Sequence, residues 1–147
     1  MKNIIVLFSV LLLVSVTLNA QSNVNAEKET IKKVIVDAYV DGLFNEGDVE
    51  KIQKGWHKDC DIVVFKNNDL NIVEAAMWVE RFKKNPTPLF PGTTYEFTDI
   101  YVAGYAAIAI VEIYQKGKHI YTDFMNLYKF DDGWKIVTKT YYAYPKN

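Results

Sequence analysis

Apolar and polar positions alternate with two different periods along this chain. Ile31, Val34, Ile35, Ala38, Tyr39, Gly42 and Leu43 recur at helical spacing, while Lys32, Lys33, Asp37 and Asp41 occupy the opposite side. That stripe predicts an amphipathic helix over 27–44, ended by Asn45-Glu46-Gly47. Asp48 is placed to cap a second, short helix through Ile52 to Gly55, because a carboxylate can accept the unpaired amide protons of a first turn. Cys60–Lys66 is rich in β-branched and aromatic residues and predicts a strand; Asn67-Asn68-Asp69 turns it into a short extended piece at Leu70–Val73. Ala75, Trp78, Val79 and Phe82 mark a third helix over 74–84. Pro86, Pro88, Pro91 and Gly92 then form a loop that continues neither helix nor strand. From Thr94 the period becomes two. Strands are expected over 94–102, 105–115, 119–130 and 134–144, separated by Ala103-Gly104, Lys116-Gly117-Lys118 and Asp131-Asp132-Gly133. Helices followed by long antiparallel strands make an α+β domain. Long strands twist and curl, so the expected form is a cone-shaped, curved sheet packed against three N-terminal helices.

The N-terminus departs from this pattern. Lys2 precedes a nearly unbroken apolar run from Ile4 to Leu18, and Leu18-Asn19-Ala20 has the small-residue ending of a signal-peptidase site. The run is shorter than the roughly 20 residues a membrane span requires. Residues 1–20 are therefore read as a signal peptide cleaved near Ala20, 21–27 as a flexible lead-in, and 28–147 as one domain. Export to the periplasm or the medium is the expected destination. Taking Lys2 from the 17 basic residues leaves 16 against 18 acidic ones, a formal charge near −2. Such a balance provides no electrostatic basis for binding nucleic acid or an anionic membrane. Cys60 is the single cysteine, so an internal disulfide is impossible, and its strand setting reads as a small buried hydrophobe.

The helix over 31–44, the segment Gly55-Trp56-His57-Lys58-Asp59, and the tail with Thr122-Asp123 and Gly133-Trp134-Lys135-Ile136-Val137 occur in an order that resembles the nuclear transport factor 2-like superfamily. Within it the chain looks most like the small bacterial "putative lumazine-binding" group, near the SnoaL-like proteins. The resemblance implies a conical roll of the cystatin-like kind, a pocket at its wide end, and dimerisation through the sheet. It implies no single activity, since relatives include isomerases, dehydratases and cyclases. Ketosteroid isomerase, similar in fold, carries a basic carboxylate on the strand after the second helix. Here that stretch is Ile62-Val63-Val64-Phe65, and no carboxylate stands there.

Strand alternation sorts the candidate residues. A two-residue turn at Gly117-Lys118 sets Glu112 opposite Asp123, and one at Lys116-Gly117 sets it opposite Tyr121. Either groups Glu112, Tyr114, Tyr121, Asp123 and Met125 on one face. A three-residue loop before Trp134, with Gly133 at positive φ, sets Phe130 opposite Trp134 and Asp123 opposite Tyr141, adding Lys139 to that face. Val111, Ile113, Thr122, Phe124, Tyr128, Ile136 and Thr140 would form the other, smoother face, suited to packing or a dimer contact. Charges on neighbouring strands are costly in a dry core unless paired, so the polar-aromatic face is expected to line the cavity. Trp56, Trp78, Phe82, Tyr101, Tyr114, Tyr121 and Tyr141 supply flat rings for an aromatic ligand.

Several chemistries fit these residues. Glu112 and Asp123 could act as a general acid/base pair, each raising the other's proton affinity, or Asp123 could form a structural ion pair with Lys139. His57 could shuttle protons or bond the carbonyls ending the second helix. His119, beside a turn, is expected to be exposed. Two distant histidines and one cysteine have no zinc spacing, and no cofactor motif is present. Three functions stay open: a pocket protein for a small, partly aromatic or apolar molecule; a lyase or isomerase with a pocket carboxylate as base; and a dimeric interaction domain without ligand.

Overall fold

The computed structural model describes residues 23–145. The signal-peptide expectation for 1–20 lies outside them. Helix α1 spans residues 23–46 and starts within the expected lead-in. Its first turn is tied down: Glu27 accepts from Trp134 Nε1 at 2.6 Å and from Lys129 Nζ at 2.5 Å. Over Val36–Glu46 the helix winds more widely, in the i→i+5 pattern, and Gly47, at φ 70°, ends it in the left-handed conformation. Helix α2 covers Val49–Gly55, and Asp48 caps it as expected, accepting from the amides of Glu50 and Lys51. Helix α3 covers Ala76–Lys84.

The strands are β1 (Trp56–Lys66), β2 (Asp69–Glu74), β3 (Thr93–Ala103), β4 (Ala106–Gln115), β5 (Lys118–Phe130) and β6 (Gly133–Ala143). They form one curved, unclosed sheet in the order β2-β1-β6-β5-β4-β3. The sheet is not wholly antiparallel, because β1 lies parallel to β6. Between them in sequence lie β2, α3 and the strands β3–β5, so the chain returns to β1 only with its last strand. The three helices cover the concave face. Val111 and Ile113 of β4, Met125 and Leu127 of β5, and Trp134 and Ile136 of β6 are fully buried there against Ile31, Ile35 and Tyr39 of α1.

Three registers bear on the site. The β4–β5 turn uses Lys116 and Gly117, both at positive φ, with Gln115 opposite Lys118. A bulge follows: Tyr114 pairs with His119, but Ile113 pairs with Tyr121, leaving Ile120 over. Val111 therefore faces Asp123, and Glu112 faces Thr122. The extra residue moves Val111 and Ile113 to the concave face and Glu112 and Tyr114 to the convex one, opposite to expectation. Ile136 is likewise on the concave side. Between β5 and β6, Phe130 pairs with Gly133 (φ 117°) rather than Trp134, and a bulge between Ile136 and Thr138 restores the expected pairing of Asp123 with Tyr141.

Candidate functional site

Tyr39, on the wide-wound half of α1, points its hydroxyl at the sheet. It donates to Asp123 Oδ2 at 2.7 Å. Lys139 Nζ donates to Asp123 Oδ1 and, at 3.1 Å, to the Tyr39 hydroxyl. All three side chains are buried: Asp123 is 0 %, Tyr39 1 % and Lys139 6 % exposed. The carboxylate thus has both oxygens occupied, and the ammonium has its charge matched. This meets the condition under which a buried ion pair is tolerated. The ammonium also lies 4.4 Å from the centroid of the Tyr141 ring and 4.9 Å from that of Tyr39. Burial pushes the Lys139 ammonium below the ordinary lysine range, and the Asp123 charge opposes that shift without cancelling it. Burial, then the Asp123 charge, pushes the Tyr39 hydroxyl well above the ordinary tyrosine value.

Tyr39 and Lys139 of this triad line a cavity of about 470 Å³, within the range of about 300–1,000 Å³ typical of small-molecule sites. From α1 come Tyr39, Leu43 and Phe44; from the sheet, Ile62, Val64, Val73, Tyr121, Lys139 and Tyr141; from α3, Trp78 and Arg81; and from the proline loop, Leu89 and Phe90. The loop is positioned by backbone bonds, Phe90 N to Phe44 O at 3.0 Å and Leu89 N to Leu43 O at 3.4 Å. Asn45 joins the end of α1 to the start of β3, accepting from the Thr93 amide and donating to the Thr93 carbonyl. Phe44 stacks on Tyr121 at 6.5 Å, and Tyr121 meets Tyr141 edge-on at 5.4 Å. The indole N–H of Trp78 is buried and has no hydrogen-bond partner among the described residues.

Among the residues expected to contact ligand, Trp78, Tyr121, Lys139 and Tyr141 line this cavity, and Asp123 stands directly behind it. The others lie elsewhere. Met125 and Phe82 are core residues, 0 % and 1 % exposed. Trp56 packs edge-on against Tyr39 at 5.7 Å and borders a separate cleft with His57. Tyr101 is exposed on the convex face. Glu112 and Tyr114 stand on that face too, moved there by the β4–β5 bulge, so Glu112 and Asp123 do not form a carboxylate pair. Glu112 instead accepts from Thr122 at 2.5 Å and Thr98 at 3.0 Å and lies 2.7 Å from His119 Nε2. Burial raises its pKa, but those hydrogen bonds outweigh it and hold the carboxyl below its ordinary value. His119 is accordingly half-buried rather than exposed, set between Tyr114 and Tyr144. His57 belongs to β1 rather than to the end of α2. It stacks on Phe130 at 5.0 Å and its Nδ1 accepts from the Asp59 amide, so it bonds no helix-end carbonyl. Cys60 is buried as expected, and burial pushes its thiol up to about 12.

The sequence reading missed Tyr39, Arg81, Leu89 and Phe90. Tyr39 left a signal, because a tyrosine inside an apolar helix stripe needs a partner for its hydroxyl once buried. Leu89-Phe90, an apolar pair between prolines, was a weaker one.

The sequence profile of the family described as "putative lumazine-binding" matches residues 26–142. The chain belongs to this family. It has the nuclear transport factor 2-like fold. Among solved structures, it is similar to a nuclear transport factor 2-like protein of unknown function from Shewanella baltica OS155, with 21 % identity, a TM-score of 0.67, and 82 % of this chain and 96 % of that one covered. A second such protein, from Silicibacter pomeroyi DSS-3, has 18 % identity and a TM-score of 0.65 over 82 % and 98 % of the two chains. A cystatin-like fold protein from Burkholderia xenovorans LB400 has 14 % identity and a TM-score of 0.59 over 82 % and 95 %. At these identities the likeness concerns fold alone. No functionally curated protein matches the chain.

Proposed function

We propose that this family member is an exported protein that binds a small, flat, partly aromatic molecule between α1 and the sheet. The observation that carries this reading is the aromatic cavity of about 470 Å³ with Tyr39 and Lys139 on its lining and Asp123 buried behind them. Apolar and aromatic walls with few placed polar groups suit recognition of a flat ligand. The family's description adds pteridinediones such as lumazine to the compounds worth testing. Binding is favoured over carboxylate base catalysis because Asp123 is fully buried and both its oxygens already accept hydrogen bonds. A base has to reach the substrate proton directly or through one water.

A second copy of the chain is proposed to cover the convex face, where Phe124, Tyr128 and Ile108 are exposed together on neighbouring strands.

A thermal-shift and fluorescence titration with lumazine and other bicyclic aromatics tests the reading. Wild-type protein should be stabilised and quenched by at least one of them. Val64→Trp, which fills the cavity from β1, should remove both responses while keeping its fold. Equal responses from the two proteins would place binding elsewhere and overturn the reading.

A further inference from the structure

The cavity's polar groups differ in kind as well as number. Among the described residues its lining includes no carboxylate. Asp123, the acid behind the wall, is saturated by Tyr39 and Lys139. What the cavity offers instead are donors. Lys139 has three N–H groups, two of them directed to Asp123 and Tyr39. The Trp78 indole N–H is sealed from the cavity space and has no partner among the described residues, so the Trp78 ring adds an apolar face and no donor. Arg81 lies on the lining but is exposed, so its guanidinium stands at the solvent side of the cavity, 5.5 Å from the centroid of the Trp78 ring, and it makes no ion pair among the described residues. The Tyr121 and Tyr141 hydroxyls can donate or accept, so they add no bias.

The charges add to the same imbalance. The Lys139 ammonium is matched by Asp123, which leaves the Arg81 guanidinium as the uncompensated charge on the lining. A guanidinium is a permanent cation with a planar fork of donors that fits a carboxylate. Burying a ligand cation here would set it against that charge with no acid to receive it. A neutral ligand can answer these donors through a carbonyl or ring nitrogen but leaves the Arg81 charge unpaired, and a hydrogen bond to a charged acceptor is the stronger one. A flat anion satisfies both: its rings fill the space among the tyrosines and Phe90, and its acid group meets the Arg81 guanidinium at the solvent side.

We infer that the cavity selects planar aromatic acids, with Arg81 as the residue that reads the negative charge. This rests on the pocket-binding reading given above, and its test separates the two. The probes are 2-naphthoate and its uncharged counterpart 2-naphthamide, titrated at low ionic strength against wild type, Arg81→Gln and Arg81→Lys. A charge-assisted hydrogen bond exceeds a neutral one by enough to favour the acid about tenfold. That preference should vanish in Arg81→Gln because naphthoate loses far more affinity than naphthamide does, and Arg81→Lys should retain part of it. Equal or tighter binding of naphthamide to wild type would overturn the acid selectivity and leave the pocket standing. An undiminished preference in Arg81→Gln would overturn the role of Arg81. Failure of every bicyclic aromatic to bind wild type would remove the pocket reading and this inference together.

Discussion

Lys139 meets Asp123 diagonally across the β5–β6 ladder: the backbone partner of Asp123 is Tyr141, and that of Lys139 is Met125. The two charges are thus one pair-step apart on the concave face, and Tyr39 bridges them from α1. Breaking a buried pair from one side leaves an uncompensated charge, at a cost of about 3–5 kcal/mol. Asp123→Asn and Lys139→Met should each lose stability on that scale in urea unfolding. The double variant Asp123→Leu/Lys139→Met should recover part of the loss, because it removes both charges and leaves only the buried Tyr39 hydroxyl without its partners. A double variant as unstable as the sum of the single ones would show the pair acting independently.

The triad also predicts an alkaline pH dependence. The folded-state pKa of Tyr39 is raised above its ordinary 10.0 by burial and Asp123. Above pH 10 the unfolded chain releases this proton while the native state retains it. The unfolded state then binds fewer protons, so stability falls as pH rises. Lys139 acts in the opposite direction below its ordinary 10.5, since its folded pKa is lowered and the unfolded state binds more protons there. Beyond 10.5 the Tyr39 contribution stands alone between these two, with a slope approaching about 1.4 kcal/mol per pH unit. Tyr39→Phe should be less stable at neutral pH, having lost a bond to a charged group, yet should decline less steeply above pH 10.5. Parallel stability curves for the two proteins would refute the assignment.

How much of this site was legible in the sequence depends on single residues. Asp123, Lys139 and Tyr141 were grouped correctly, but for a partly wrong reason: the two-residue turn at Asp131-Asp132 and the bulge at Val137 shift the register in opposite senses and cancel. Nothing cancels the bulge at Ile120, so Glu112 and Tyr114 were assigned to the wrong face. A bulge leaves no fixed residue signature, and a one-residue slip exchanges every side chain between faces. The helices were easier to read, because the α1 stripe and the Asp48 cap are local. Arg81, Leu89 and Phe90 reach the cavity only through the placement of α3 and the proline loop, which no period encodes.

The seat of α2 on α1 depends on one glycine. A Cβ at Gly55 would lie 2.3 Å from the Ala38 Cβ. Gly55→Ala should therefore cost about 1–3 kcal/mol through overpacking, and Ala38→Gly added to it should restore part of the loss. Differential scanning calorimetry of the three variants measures both effects. No destabilisation in Gly55→Ala would mean that the helices separate readily.

The proposed convex-face dimer has its own test. Phe124 is 41 % exposed on the central β5 strand. Phe124→Glu should convert a dimer to a monomer in analytical ultracentrifugation without loss of the folded spectrum. A wild-type protein that sediments as a monomer at micromolar concentration would contradict the dimer and leave the cavity unaffected.

The most direct test of a ligand between α1 and the sheet is native mass spectrometry of the protein purified from its own cells. The account predicts a retained low-mass aromatic compound on wild type, absent from Val64→Trp purified in the same way. An identical adduct on both proteins would contradict it, as would a ligand without an aromatic ring.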